Sequence, residues 1–171
     1  TIQRAVDEGV NYFFCYGFDS QMTGMLRDIF RTRRRELVIS TGAYNMPLLR
    51  PSLRRTIEKR LRQLGTEYID IFLFLGVTKG KQFSRRDREE MYRFREEGKI
   101  RSVGMSTHDR KFAGELASQG ALDSIMIRYN AAHRGAERDI FPHVQPNRTS
   151  IVGYTATRWT SLTRRPDRWP A

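Results

Sequence analysis

Six short apolar runs, each separated from the next by a stretch of helical periodicity, constrain this chain more than any other feature of it. Such alternation is the pattern of βα units, in which helices join and cover parallel strands. The runs fall at residues 10–14, 37–41, 68–75, 100–106, 124–129 and 150–154. The third is apolar at nearly every position, as expected of a strand covered on both faces. Helices are expected over residues 22–30, 50–64, 86–97 and 110–119, with a shorter one over 136–144 and a first one ending at Gly9.

The segment 50–64 carries the clearest helical signal. Ser52 follows Pro51 as a candidate cap, and Leu53, Ile57, Leu61 and Leu64 fall on one stripe. Arg54, Arg55, Glu58, Lys59 and Arg62 then face outward, and Gly65 stops the helix. The basic run Arg31 to Arg35 is expected to be a solvated turn. By pattern alone, an open doubly wound sheet and a closed barrel both remain. The open sheet lacks its phosphate fingerprint, since Cys15-Tyr16-Gly17-Phe18 is not a Gly-x-Gly-x-x-Gly turn. The closed barrel needs eight strands and typically ~250 residues.

Composition narrows the class. The 171 residues, 39% hydrophobic and 11% aromatic, suffice for a globular domain with its own core. No apolar run approaches the ~20 residues of a membrane span, so no membrane role is expected. The opening residues lack a signal-peptide pattern. A single cysteine, Cys15, excludes an internal disulfide and fits a reducing cytoplasm. The excess of 31 Lys+Arg over 19 Asp+Glu, a net +12, permits a nucleic-acid or acidic-ligand partner, but an arginine-rich composition of this kind also follows from a GC-rich genome, the reading preferred here.

The wording of the segments goes further than their pattern. A-x-x-x-G-V-N-Y-F from Ala5, R-R-R-E-L-V-I-S-T from Arg33 and S-L-R-R-T-I-E-K-R-L-R-Q-L-G-T-E-Y-I-D-I-F from Ser52 resemble aldo-keto reductase sequence. So do E-E-G-K-I-R-S-V-G-M-S, R-Y-N-A-A-H-R and I-V-G-Y-T-A, in the family's order as far as about residue 158. The resemblance implies an α/β fold of the (β/α)8 TIM-barrel type, with strands 2–7 of the barrel present. Residues 1–158 would form the barrel segment, and 159–171 an Arg- and Trp-rich tail. A partner chain or further residues are then expected to close the barrel.

Members of that family reduce carbonyls with a nicotinamide cofactor, usually NADP(H). The resemblance implies an Asp ending the second barrel strand, a Tyr shortly after it, a Lys ending the third and a His ending the fourth. The Tyr protonates the carbonyl oxygen, and the others ease that transfer. Here Phe14 takes the Asp position, Gly42 the Lys position and Leu75 the His position. Tyr16 is left as the catalytic candidate, two or three residues early. For the cofactor, Ser106 matches a family Ser, while Thr107 and Met126 replace an Asn and a Gln. Tyr154 stands where an aromatic ring stacks on the nicotinamide, and Thr155 where a hydroxyl meets the pyrophosphate. Ser106, Tyr154 and Thr155 are thus the cofactor-binding candidates.

Other groups carry weaker signals. His108, Asp109, His133 and Glu137 sit at strand ends and would suit a metal or an acid–base pair, but solvated loop histidines explain them as well, and no metal is expected. His143 has no partner at a telling spacing. Arg101, Arg110, Arg128, Asn130, Arg134, Arg138 and Arg158 suggest a basic mouth for a phosphate or carboxylate, or else ordinary surface ion pairs. Cys15 is a reactive thiol or a packed apolar side chain, and Trp159 and Trp169 cover the barrel or meet a partner.

Three readings follow. One is an NAD(P)(H)-dependent oxidoreductase acting on a small carbonyl ligand through a degenerate site. Another is a non-catalytic barrel serving as a ligand-binding or regulatory module. The third, a nucleic-acid-associated protein, rests on charge alone.

Overall fold

In a computed structural model of the chain, residues 1–17, 19–46 and 50–164 are described. The elements run α1 (Ile2–Asp7), β1 (Tyr12–Phe14), α2 (Ser20–Arg33), β2 (Val38–Tyr44), α3 (Leu53–Leu64), β3 (Ile69–Val77), α4 (Arg85–Glu96), β4 (Ile100–Thr107), α5 (Arg110–Ser118), β5 (Ser124–Arg128), α6 (Ala136–Asp139), α7 (Phe141–Val144) and β6 (Ser150–Tyr154). The helix expected over 136–144 is broken into α6 and α7 at Ile140, ahead of Pro142, whose ring cannot sit in a helix interior. Strand β2 runs to Tyr44, three residues beyond its expected end.

All six strands are parallel and lie in chain order, β1-β2-β3-β4-β5-β6. A doubly wound sheet reverses its order at a switch point, with helices on both faces. An order without reversal, with right-handed crossovers, keeps the helices on one face and turns the other inward. Side chains from every strand line a single cavity, which requires the sheet to curl around it. The fold is therefore an incomplete TIM-type barrel of six strands.

Alternation along the strands divides the apolar residues into two clusters. Ile39, Phe72, Phe74, Val103, Met105, Ile125 and Ile127 point outward and pack with helix residues such as Leu26, Ile57, Met91, Phe94 and Leu116. Helix α3 contributes its expected stripe of Leu53, Ile57, Leu61 and Leu64, all buried, at about 1.5–3 kcal/mol each. Ser52 caps it by accepting from the Arg55 N–H at 3.3 Å, and Gly65 ends it at φ 62°, a left-handed position suited to glycine. Inside, Leu73, Leu75 and Met126 form a small cluster against which Phe14, Tyr44, Ile71, Val152 and Tyr154 pack.

One row of the ladder explains how Leu73 fits. It pairs with Gly42 on β2 and Gly104 on β4. A Cβ on Gly42 would collide with the Leu73 carbonyl and stand 3.0 Å from Leu75 Cγ, and one on Gly104 would meet Leu73 Cδ2. The two glycines let the backbones close around a leucine.

The turn expected over Arg31–Arg35 is the last turn of α2 followed by a short 3-10 turn, Arg34–Glu36, and Arg34 departs from the expected solvation. Arg34 is half-buried, and its guanidinium donates to Thr66 Oγ1 (2.9 Å), the carbonyls of Leu37 (3.0 Å) and Tyr68 (2.8 Å), and Asp70 Oδ2 (2.8 Å). It lies 3.9 Å from the Tyr68 ring centroid and 5.0 Å from that of Phe30. Asp70, which is buried, accepts from the Ile39 N–H at 2.9 Å, tying β2 to β3 at the N-terminal rim. No helix among the described residues is long and apolar enough to cross a membrane.

Candidate functional site

The C-terminal ends of the strands surround a cavity of about 530 Å³. Phe14 comes from β1, Tyr16 from the turn after it, Tyr44 from β2, Leu75 from β3, Ser106 from β4, Met126 from β5, and Val152 and Tyr154 from β6, with His108 and Thr155 at the rim. The volume suits a small ligand or half of a dinucleotide. The four residues singled out in the sequence, Tyr16, Ser106, Tyr154 and Thr155, all line it. Phe14 and Leu75 line it too, and among the described residues no carboxylate does, so the wall is largely apolar and aromatic.

The aromatic side is ordered. Phe14 meets Tyr16 edge-on at 4.8 Å between centroids, and Tyr16 stacks on Tyr44 at 6.3 Å with the planes 15° apart. Tyr16 is 54% exposed, at the mouth. Burial, with Tyr16 nearby, pushes the Tyr44 phenol well above its ordinary pKa, and Arg60 opposes this. Across the cavity, burial likewise raises the Tyr154 pKa, against the pull of Arg128. Both half-buried phenols therefore stay protonated at neutral pH. The Tyr154 ring stands edge-on to His108 at 6.2 Å, with its hydroxyl 3.5 Å from Nδ1, at the limit of a hydrogen bond.

Tyr44 and Arg60 were not among the residues singled out in the sequence. Tyr44 would have followed from continuing the inward alternation Ser40, Gly42, Tyr44 past the expected strand end. Arg60 reaches over from α3, donating to the Gly17 carbonyl at 3.0 Å and to Gln63 at 2.7 Å. A Cβ on Gly17 would collide with its guanidinium. No sequence spacing ties a helix residue to a turn 43 positions earlier.

Other candidates are dispersed. Thr107 is buried and donates to the Val77 carbonyl at 2.9 Å, so its hydroxyl does not face the cavity. Thr155 adopts φ 54°, its hydroxyl donating to the Tyr154 carbonyl (2.7 Å) and its carbonyl accepting from Asn130 Nδ2 (2.9 Å). Asp109 caps α5 through the Phe112 N–H and accepts from the Gly80 N–H. Glu137 accepts from Tyr129 and Arg134, chiefly the latter holding its carboxyl below the usual range. Among the described residues no group of three His, Cys, Asp or Glu is placed to hold a metal ion. Cys15 is buried, and burial pushes its thiol up to about 12, which makes it a packed side chain rather than a nucleophile.

The basic mouth is smaller than its sequence version. Arg101, second residue of β4, lies at the opposite rim, 3.1 Å from Asp70 and over the Tyr68 ring. Arg134 pairs with Glu137, and Arg110 and Arg138 share Asp139. Trp159 is exposed, 5.9 Å from the Arg128 guanidinium, and Trp169 lies outside the described residues.

Comparison with known proteins places this geometry. A sequence model of the aldo/keto reductase family matches residues 1–169. An NADH-specific methylglyoxal reductase of Escherichia coli K12 is 26% identical over 114 residues, covering 66% of this chain and 35% of that protein. An uncharacterized oxidoreductase of Bacillus subtilis is 22% identical, over 96% of this chain and 57% of its own length. Among solved structures, the holo form of aldo-keto reductase AKR11C1 from Bacillus halodurans superposes with a TM-score of 0.80 at 24% identity, covering 96% of this chain and 57% of that one. An aldo/keto reductase from Klebsiella pneumoniae in complex with NADP and acetate gives 0.73 at 23% identity, covering 95% and 59%. The chain spans 35% and 57% of the lengths of the two sequence relatives.

Proposed function

The chain belongs to the aldo/keto reductase family, and from that premise we propose that it is an NAD(P)(H)-linked oxidoreductase-type barrel acting on a carbonyl ligand through a reduced set of catalytic groups. The observation that carries this reading is the convergence of Tyr16, Ser106, Tyr154 and Thr155 on one cavity at the C-terminal ends of the strands, where barrel enzymes do their chemistry.

The lining suits a nicotinamide. Tyr154 offers a flat, protonated ring on one wall. The Ser106 hydroxyl faces the cavity and makes no hydrogen bond among the described residues, leaving it to meet a carboxamide. Met126, where the family carries an amide, contributes only a thioether. When bound, the cofactor supplies a hydride. Tyr16 supplies the proton, being the hydroxyl at the mouth with room for a carbonyl oxygen beside it. Tyr44 stacks behind Tyr16, and Arg60 brings positive charge to the same side, against the burial that raises the Tyr44 pKa. Leu75, Met126 and Val152 keep water from the inner end.

The test is a titration with NADPH followed by protein fluorescence, then turnover of aldehydes by the native chain and by Y16F. Binding with turnover that falls about 10²–10⁴-fold in Y16F is expected for a general acid. Absence of binding at millimolar NADPH would sink the reading.

A non-catalytic barrel is the second reading, favoured by the closure of Gly42 against the Leu73 carbonyl. NADPH binding without turnover of any aldehyde selects it.

A further inference from the structure

A second cavity, of about 150 Å³, is lined by Thr107, His108, Arg110, Ile127, Arg128 and His133. His108 borders the tyrosine-lined cavity as well, so the two share a wall. The volume equals a few water molecules, room for one carboxylate or phosphate group and not for a nucleobase.

Its charge is not balanced from within. Among the described residues no acidic one lines it. The nearby acids are engaged: Asp139 by Arg110 and Arg138, Glu137 by Arg134 and Tyr129, and Asp109 by backbone N–H groups. Arg128 meets no carboxylate among the described residues. Its Nη2 lies 2.8 Å from His133 Nε2. A guanidinium only donates, so Nε2 accepts, and Nδ1 carries the hydrogen and donates to Asn130 Oδ1 at 3.2 Å. That arrangement holds His133 neutral, and burial with Arg128, Arg158 and Arg110 around it lowers its pKa. The remaining N–H groups of Arg128 have no acceptor among the described residues, in the planar fork that suits two oxygens of one anion.

We propose that this pocket is an oxyanion subsite, holding the carboxylate or phosphate of a ligand whose carbonyl end lies in the tyrosine-lined cavity. The position of the carbonyl end rests on the function proposed above; the oxyanion site does not. The substrate class is then an aldehyde or ketone that carries an anionic group, and Arg128 is the residue that selects it.

The chain's three histidines provide the readout. His108 and His133 line the pocket, and His143 is an internal control. Inorganic phosphate, and separately acetate, is titrated into the native protein without cofactor while the histidine ring signals are followed by NMR. Saturable shifts of His108 and His133, with His143 unmoved, are expected, and chloride at equal ionic strength gives none. R128Q weakens phosphate about tenfold or more, and R128K falls between, because it keeps the charge and loses the fork. The unfolding midpoint of each variant shows that it is folded. Equal shifts in all three histidines, no saturation, or unchanged affinity in R128Q overturns the proposal. NADPH that displaces phosphate from His133 reassigns the anion to the nucleotide and overturns the substrate class. Saturable phosphate binding in a protein that does not bind NADPH refutes the oxidoreductase reading while the oxyanion site stands.

Discussion

Restoring a lysine at position 42 will not restore a reductase. Gly42 is buried in β2, and the obstruction to a side chain there is the carbonyl of Leu73, a backbone atom in the paired strand. Trimming a neighbouring side chain does not remove it. G42A adds only the Cβ and forces β2 and β3 apart, an overpacking cost of about 1–3 kcal/mol. G42K adds an ammonium in a region whose cavity has no carboxylate in its lining among the described residues, and an unpaired buried charge costs several kcal/mol more or loses its proton. Together these approach the ~5–15 kcal/mol by which a domain of this kind is stable. Urea unfolding gives the midpoints of the native chain, G42A and G42K, with L75M as a volume-conserving control costing less than ~1.5 kcal/mol. The expected order of stability is native, L75M, G42A, G42K, with no gain in aldehyde turnover from the lysine. A G42K protein as stable as the native one, or one that gains turnover, refutes the argument: the position would then be open, and the site one substitution from repair.

Removing the Arg34 side chain leaves Asp70 buried with Arg101 alone, so R34A is expected to lose about 3–5 kcal/mol, and much less when made in D70N; equal losses in both backgrounds would show that the pair is not coupled. Cys15 should resist thiol reagents at mildly alkaline pH in the folded chain and react on unfolding. Because its folded pKa is raised from about 9 to about 12, the stability it contributes is complete below 9 and declines as pH rises towards 12; an unfolding midpoint flat across that window contradicts this. T155G relieves a β-branched residue at φ 54° and should raise stability by about 1 kcal/mol while weakening NADPH binding. A lowered midpoint would mean that the hydroxyl bond to the Tyr154 carbonyl outweighs the strain.

The barrel was legible because its evidence is local. Each apolar run and each amphipathic stripe announces one element, and their succession leaves few topologies. The convergence of Tyr16, Ser106, Tyr154 and Thr155 was legible for a related reason: all follow or end strands, and parallel strands deliver such positions to one rim. Arg101 was misplaced by neglecting the same rule, since the second residue of a strand belongs to the opposite rim. What could not be read was approach across the fold. Gly42 shows in the sequence only as a missing lysine; that its place is closed depends on how near β3 comes. Arg34 looked like part of a solvated basic run because its partners, Thr66, Tyr68 and Asp70, lie more than thirty positions away. Arg60 and His133 acquire their meaning from groups that only folding brings to them.

The unreversed strand order also sets how the chain is assembled and how it opens. Every strand after the first pairs with one already made, so a chain leaving the ribosome adds each βα unit to a finished template, and no long loop must close late. Opening runs the other way. β3, paired on both sides and buried along most of its length, is the natural centre of hydrogen-exchange protection, while β6, half-exposed and, like β1, paired on one side only among the described residues, exchanges earlier. Since β6 carries Tyr154 and leads into Thr155, the proposed cofactor wall is built in part on a strand with one paired neighbour among the described residues. A bound nucleotide should therefore slow exchange in β6 far more than in β3.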